Sequence, residues 1–286
     1  MSPNEHQIEH VSDTALMVAA CRALETARAD GLVRDPFAER LAGERGMSIL
    51  RGINGWELMT FGIGVRSQFL DRLVISTLAE HGIRTVLSVG AGLDTRPWRL
   101  DLPADLRWIE VDFPDVIGYK SGIMAAEKPK CRREQLVADL TNPAQRQAVF
   151  AAAGGDPALM ISEGLLMYLP AETVRAIAQE SAALSGIRHW LLDAASIELA
   201  HRMGMDSRQS IQSVRAPGHL EGEQLLEEVQ GQGWKQMVHR SYSRDAMEVA
   251  ADRIRAMIEQ FRASSGGVEP PPATADSSGV YLFARE

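Results

Sequence analysis

Nine residues constrain the fold of this chain more than any others: Val86-Leu87-Ser88-Val89-Gly90-Ala91-Gly92-Leu93-Asp94. An apolar run with strand character enters a turn at Gly90, and Gly92 lets the backbone approach a ligand closely. Around this loop, short runs at Arg84–Val89, Arg107–Val111, Gln135–Ala138, Ala158–Ser162 and Trp190–Asp193 alternate with helical stretches. Strands separated by crossover segments predict a parallel sheet with helices on both faces. Two late runs, Lys235–Ser241 and Gly279–Ala284, each follow a helical stretch and suggest a closing antiparallel pair at one edge.

The first 80 or so residues read as helical. Val11, Ala15, Val18, Ala19 and Arg22 fall at three- and four-residue steps, with Ser12 and Asp13 as N-cap candidates. Asp35-Pro36-Phe37 predicts a helix start, the acid capping and the proline standing at the first helical position. A third helix is predicted from about Val65 to His81, ended by Gly82. Between Ala195 and Gly233 the pattern weakens, which reads as a lid, and Ser264–Ser278 with its three prolines reads as a surface loop. The expected organisation is a helical cap over 1–82 and a Rossmann-like domain over 83–286. A lid insertion at about 196–233 completes what should be one structural unit.

About 20 residues past the glycines, Ile109-Glu110-Val111-Asp112 ends the second strand on a carboxylate, the kind of acid that holds ribose hydroxyls in dinucleotide-binding folds. The third glycine of a G-x-G-x-x-G pattern is missing, because Thr95 stands there. Asp94 just before it places negative charge where a pyrophosphate would need donors. A ligand with an adenosine and no phosphates tolerates this, and S-adenosylmethionine is such a ligand: its ammonium suits an acidic loop and its ribose suits Asp112. Taken alone, the same residues admit a blander account, with the glycines serving a tight strand-to-helix turn and Asp112 capping a helix ahead of Pro114.

The charge balance narrows the partner. The formal net charge is −8, and the densest basic patch, Lys128, Lys130, Arg132 and Arg133, is broken by Pro129 and Cys131. Phosphate-driven binding needs a concentrated basic surface, so nucleic acid is not the expected partner and a small or peptidic substrate is. No apolar stretch reaches the roughly 18 residues that cross a bilayer, so no membrane association is expected. The polar N-terminus does not read as a targeting signal. Cys21 and Cys131 are the only cysteines, too few for a disulfide framework or thiolate metal site, and a reducing cytoplasm is the simplest setting.

Several segments, in order, resemble the leucine carboxyl methyltransferase family, and more closely its bacterial branch of S-adenosylmethionine-dependent O-methyltransferases. They are Val11-Ser12-Asp13-Thr14-Ala15-Leu16, Arg34-Asp35-Pro36-Phe37-Ala38, Val89 to Arg96, Glu110-Val111-Asp112-Phe113-Pro114, Asp139-Leu140, and Ser162-Glu163-Gly164-Leu165-Leu166-Met167-Tyr168-Leu169. The resemblance covers about residues 11 to 170 and weakens beyond. It implies an α/β fold, the Rossmann-like seven-stranded class I methyltransferase sheet with its last strand antiparallel, N-terminal helices and a C-terminal lid insertion. It further implies S-adenosyl-L-methionine as cofactor, with Arg66 pairing with the methionine carboxylate and Gly90, Gly92 and Asp94 forming the loop beside it. Asp112, with Phe113 next to it, should hold the ribose; Asp139 and Leu140 should flank the adenine; Glu163 should stand near the ammonium. One departure matters: where the eukaryotic protein-carboxyl members carry a cofactor-contacting lysine, this chain has Ala19, with Arg22 about one turn on. That argues against a protein C-terminal leucine as acceptor and favours the bacterial branch, associated with small acids and polyketide-type products.

No catalytic residue is assigned by the sequence; Tyr168, His201 and His219 are the candidates. Glu163 could instead be a helix-start acid, and Tyr168 a core aromatic. Arg96 and Arg99 read as structural or surface charges, Arg96 near enough to orient Asp94. His6-Gln7-Ile8-Glu9-His10 matches a zinc-peptidase spacing by chance, so no metal is expected. The expected reaction is methyl transfer to an oxygen, most simply a carboxylate, which is already ionised near neutral pH and needs no base. A phenol or other hydroxyl acceptor, a nicotinamide-dependent oxidoreductase and a non-catalytic cofactor-binding module are the alternatives.

Overall fold

The computed structural model describes residues 11–184, 186–194, 218–264 and 277–285. Seven strands form one sheet: β1 (Thr85–Val89), β2 (Arg107–Asp112), β3 (Arg132–Val137), β4 (Ala158–Ser162), β5 (Ile187–Ala194), β6 (Lys235–Ser241) and β7 (Gly279–Ala284). Their spatial order is β3-β2-β1-β4-β5-β7-β6. All neighbours pair in parallel except at β7, which runs antiparallel to both β5 and β6. This is the methyltransferase sheet that the resemblance implies. The late antiparallel pair also forms, with one refinement: β7 lies inside the sheet and only β6 is at the edge.

Side-chain alternation explains why both faces are covered. Leu87, Val89, Ile109, Val111, Met160 and Trp190 point to one face. There they pack on α6 (Pro143–Ala152), α7 (Ala171–Ala182) and α8 (Gly222–Gly231) through Val149, Phe150, Ile177, Leu225 and Val229. Val86, Trp108, Leu159, Ile161, Leu191 and Val280 point the other way, onto α3 (Trp56–His81) and α9 (Met247–Ser264). Period-two strands feeding two apolar faces are what a doubly covered sheet requires. The expected lid divides. Residues 195–217, with His201, fall outside the described residues; 222–231 form α8, whose apolar side is buried, and Trp234 Nε1 donates to Ala178 O at 3.0 Å. Most of the proline-rich 264–278 loop and the His6–His10 run also lie outside the described residues.

The N-terminal helices differ from the sequence reading in two instructive ways. α2 (Ala38–Arg51) starts beyond Asp35-Pro36. Asp35 does accept from Phe37 N at 3.1 Å, but its other oxygen is drawn to Arg22 Nε at 2.9 Å and Thr95 Oγ1 at 2.7 Å, which makes it a tertiary clamp. α3 begins at Trp56, nine residues before the expected Val65. Gly62 and Gly64 disguise its first turns, since glycine weakens a helix by about 1 kcal/mol relative to alanine. Gly64 is required sterically: a Cβ there would stand 2.9 Å from the buried Glu25 carboxylate carbon. Glu25, on α1 (Val11–Ala27), is clamped by Arg253 of α9, with Nη1 to Oε2 at 2.8 Å, tying the first helix to the last. Among the described residues no helix is long and apolar enough to cross a membrane.

Candidate active site

The sheet reverses its winding between β1 and β4, and ligands in open α/β sheets bind at the carboxyl ends of strands beside such a switch point. Gly90 and Gly92 follow β1 there with φ of 64° and 48°, left-handed values that favour glycine. A Cβ on Gly90 would come within 2.7 Å of Leu165 Cδ1, so the loop is closed from the β4 side as well as strained in φ. From the other side Ala15 of α1 approaches, its Cβ 3.7 Å from where one on Gly92 would be. Arg22 of α1 donates to Leu93 O at 2.7 Å and so pins the loop to the helical cap.

At the end of β2, Asp112 is wired into that loop. Its Oδ2 accepts from Gly92 N at 2.7 Å and its Oδ1 from Phe113 N at 2.8 Å. Burial pushes its carboxyl above the usual aspartate value, although those two amides and Lys120 oppose the shift. Beside it lies exposed apolar surface: Phe113 is 46% and Val137 58% exposed, and Asp112 is in register with Val137 on β3. A polar anchor next to an open apolar shelf suits a ribose joined to an adenine. Asp139, just past β3, accepts on Oδ1 from Thr141 N at 2.8 Å and Oγ1 at 2.7 Å, while Leu140 is buried in the core layer.

The electrostatic centre lies at the ends of β1, β4 and β5. Arg96 is only 2% exposed and reaches three acids: Asp71 of α3 at 2.7 Å, Asp94 at 3.2 Å and Glu163 at 2.7 Å. Arg99 joins it on Asp71, with Nη2 to Oδ1 at 2.8 Å. Arg66 of α3 lies 3.0 Å from Glu163 and 3.3 Å from Asp193, the acid near the end of β5. Asp193 also accepts from Gly164 N at 2.6 Å, and Gly164 takes a left-handed φ of 61° beside the Arg66 guanidinium. Burial alone would raise the Glu163 carboxyl, but the Arg96 and Arg66 charges overcome it and hold its pKa at about 2. Asp193 goes the opposite way: burial raises it, and Arg66 and the Gly164 amide only partly compensate. Three guanidiniums thus face four carboxylates, so the cluster is acidic by one charge with every acid ionised.

Residues 15–182 match the sequence profile described as leucine carboxyl methyltransferase, more than half of the chain. The chain belongs to the leucine carboxyl methyltransferase family. A Frankia alni protein designated a candidate S-adenosyl-L-methionine-dependent methyltransferase is 37% identical over 184 residues, which cover 60% of this chain and 64% of that one. A Saccharopolyspora erythraea protein of the same designation is 38% identical over 185 residues, covering 60% of this chain and 63% of its own length. The chain therefore spans less than two thirds of these relatives. Among solved structures, a DUF574-family protein from Streptomyces avermitilis shares the fold, with a TM-score of 0.59 at 16% identity, covering 94% of this chain and 97% of that one.

Arg66, Gly90, Gly92, Asp94, Asp112, Phe113 and Glu163 lie at the carboxyl ends of β1, β2 and β4 or in the ion cluster there, and Tyr168 lies in a single turn of 3-10 helix after β4. His219 Nε2 is 2.6 Å from Glu221 Oε1. Of the two readings the sequence offered for Arg96, structural or surface charge, the structure shows the first: Arg96 contacts Asp94 as expected and is the hub of the cluster. Asp71, Asp193 and Tyr242 are absent from the sequence-derived set. Asp193 carried a usable signal, an acid near the end of a strand, the same that pointed to Asp112. Asp71, inside a long helix, carried none.

Proposed function

We propose that this chain is an S-adenosylmethionine-dependent O-methyltransferase whose acceptor oxygen belongs to a carboxylate of a small-molecule, polyketide-type or peptide substrate. One observation carries the cofactor choice: the loop after β1 offers acids where a dinucleotide needs phosphate donors. Asp94 and Glu163 flank it, and the helix that follows, α4 (Arg96–Arg99), has only four residues. One turn of helix supplies little of the N-terminal dipole that seats a pyrophosphate. An excess of one negative charge suits a ligand carrying an ammonium and a sulfonium against a single carboxylate.

The chain's own residues have separable tasks. Asp112 accepts from ribose hydroxyls, its orientation preset by Gly92 and Phe113 amides, while Phe113 and Val137 provide the apolar shelf for the base. Glu163, ionised at all physiological pH, favours the ammonium. Arg66, shared between Glu163 and Asp193, is the cation nearest to hand for a ligand carboxylate. Bound at these residues, S-adenosylmethionine would supply an electrophilic methyl for the acceptor oxygen, its sulfur keeping the electron pair of the S–CH3 bond. A carboxylate loses no proton in this exchange, so catalysis reduces to alignment in a water-poor site. Two buried free thiols, Cys21 and Cys131, suit a reducing compartment, and we place the reaction in the cytoplasm, with a small-molecule or peptide partner rather than nucleic acid or membrane.

The test is calorimetric titration of the protein with S-adenosylmethionine, NAD and NADP, repeated on Asp112→Ala. Saturable S-adenosylmethionine binding that weakens at least about tenfold in the variant is expected, since two loop amides lose their acceptor along with the ribose. Tighter binding of either nicotinamide cofactor overturns the reading.

A further inference from the structure

The hydroxyl of Tyr242 is shielded from water and makes no hydrogen bond among the described residues. Its position is set by the sheet. β6 is antiparallel to β7, which is antiparallel to β5, so β6 ends at the same edge as β4 and β5. In register, Ala194 of β5 and Ser241 of β6 both face Gly279 of β7, which puts Tyr242 just beyond the level of Asp193 and Ala194. The backbone there is fixed by a tight turn. Tyr242 N donates to Ser278 O at 3.2 Å, Asp245 Oδ2 accepts from Ser241 N at 2.9 Å, and Ser241 Oγ accepts from Arg244 N at 3.2 Å. The ring packs on the core layer between α3 and the sheet, and its hydroxyl is close enough to Asp193, Arg66 and Glu163 for their charges to act on it.

Read across the sheet, the polar groups come in the order Asp112 on β2, Gly90 and Gly92 after β1, Glu163 after β4, Asp193 on β5 and, beyond β7, Tyr242 after β6. A cofactor anchored at Asp112 and reaching Glu163 takes up the β2-to-β4 part of the crevice, which leaves Tyr242 on the side where an acceptor must enter. We infer that Tyr242 is an acceptor-binding residue whose phenol donates a hydrogen bond to one oxygen of the acceptor carboxylate, leaving the other free to attack. The inference rests on the methyl-transfer reading above. It also answers a problem which that reading creates: Glu163 and Asp193 repel an incoming carboxylate, and a neutral donor beside the Arg66 guanidinium offsets them. The phenol keeps its proton under all working conditions, because burial raises its pKa well above the usual tyrosine value and Asp193 adds to the shift, with Arg66 opposing only in part. It is therefore a donor and not a base, which is what an already ionised acceptor calls for.

The test is Tyr242→Phe, which removes only the hydroxyl. Wild type and variant are titrated with S-adenosylmethionine, and then, saturated with S-adenosylhomocysteine, with sodium benzoate and sodium octanoate as carboxylate probes. Thermal melts of the ligand-free proteins accompany both. Expected are cofactor affinities within about twofold of each other, a melting temperature unchanged or raised, and carboxylate binding weakened about ten- to a hundredfold in the variant. Equal probe affinities overturn the inference, as does wild type that binds cofactor and neither probe. A lowered melting temperature overturns it by showing a structural partner for the hydroxyl, and a large loss of cofactor affinity by placing the hydroxyl on the cofactor. Wild type that fails to bind S-adenosylmethionine refutes the underlying methyl-transfer reading, a result distinct from all of these.

Discussion

Glu163 offers the sharpest energetic test, because its carboxylate is buried at the centre of the ion cluster. Arg96 Nη1 stands 2.7 Å from one oxygen and Arg66 Nε 3.0 Å from the other, and Asp193 and the Tyr242 phenol face the same group. The folded state lowers its pKa from 4.5 to about 2. At about 1.36 kcal/mol per unit, that shift corresponds to about 3 kcal/mol of folding stability. The sign follows from the depressed folded value: the stabilisation is fully present above pH 4.5 and is lost as pH falls towards 2. Glu163→Gln keeps the shape and removes the charge. Urea unfolding at pH 7 should show the variant less stable by about 3 kcal/mol, in line with the ~3–5 kcal/mol typical of breaking a buried ion pair from one side. The gap should shrink to about three-quarters at pH 4 and to under half at pH 3, since only wild type has this carboxylate to titrate. A gap under about 1 kcal/mol at pH 7, or one that stays constant down to pH 3, would refute the reasoning.

Asp112 should act in a different pH window. Its carboxyl is raised by burial, so S-adenosylmethionine affinity measured by calorimetry should fall as pH is lowered from 7 towards its raised value, while Asp112→Asn should bind more weakly with no such slope. A slope that survives in Asp112→Asn would assign the titration to another group. Gly90→Ala should lose about 1–2 kcal/mol to the left-handed backbone and more to the Leu165 contact, seen as a lower melting temperature together with weakened cofactor binding. An unchanged melting temperature would mean that the turn tolerates a Cβ. Burial pushes the Cys21 thiol up to about 12 and the Cys131 thiol to about 11, so Ellman's reagent should label neither in the native protein and both after denaturation. Stoichiometric native labelling of either would contradict the packing described.

Much of the fold was legible because its signals are local. Strand runs bounded by turn residues located all seven strands, and β4, β6 and β7 fall on the boundaries read from the sequence. Gly82 ends α3 in the left-handed conformation, as expected. Where local signals conflict with packing, the reading slipped. Gly64 of α3 looks like a breaker until Glu25 is seen to occupy the space its side chain would need. Asp35 looks like a helix cap until Arg22 and Thr95 claim its second oxygen.

The sequence by itself determined the alternation of strands and helices, the glycine loop, the strand-end acid at Asp112 and the family to which the motifs belong, because each is carried by residues adjacent along the chain. Only the tertiary structure decided which charges meet. Asp71 and Arg96 are 25 residues apart, Arg96 and Glu163 67, and Arg66 and Asp193 127, yet all lie within one ion cluster. No periodicity links such positions; they meet because parallel strands end at one edge of the sheet and α3 crosses beneath it. The same closure gives Tyr242 a shielded hydroxyl beside that cluster. Burial is what turns these scattered side chains into a site: removed from water, each charge needs its neighbours to stay ionised, and that need is a property of the fold rather than of any segment.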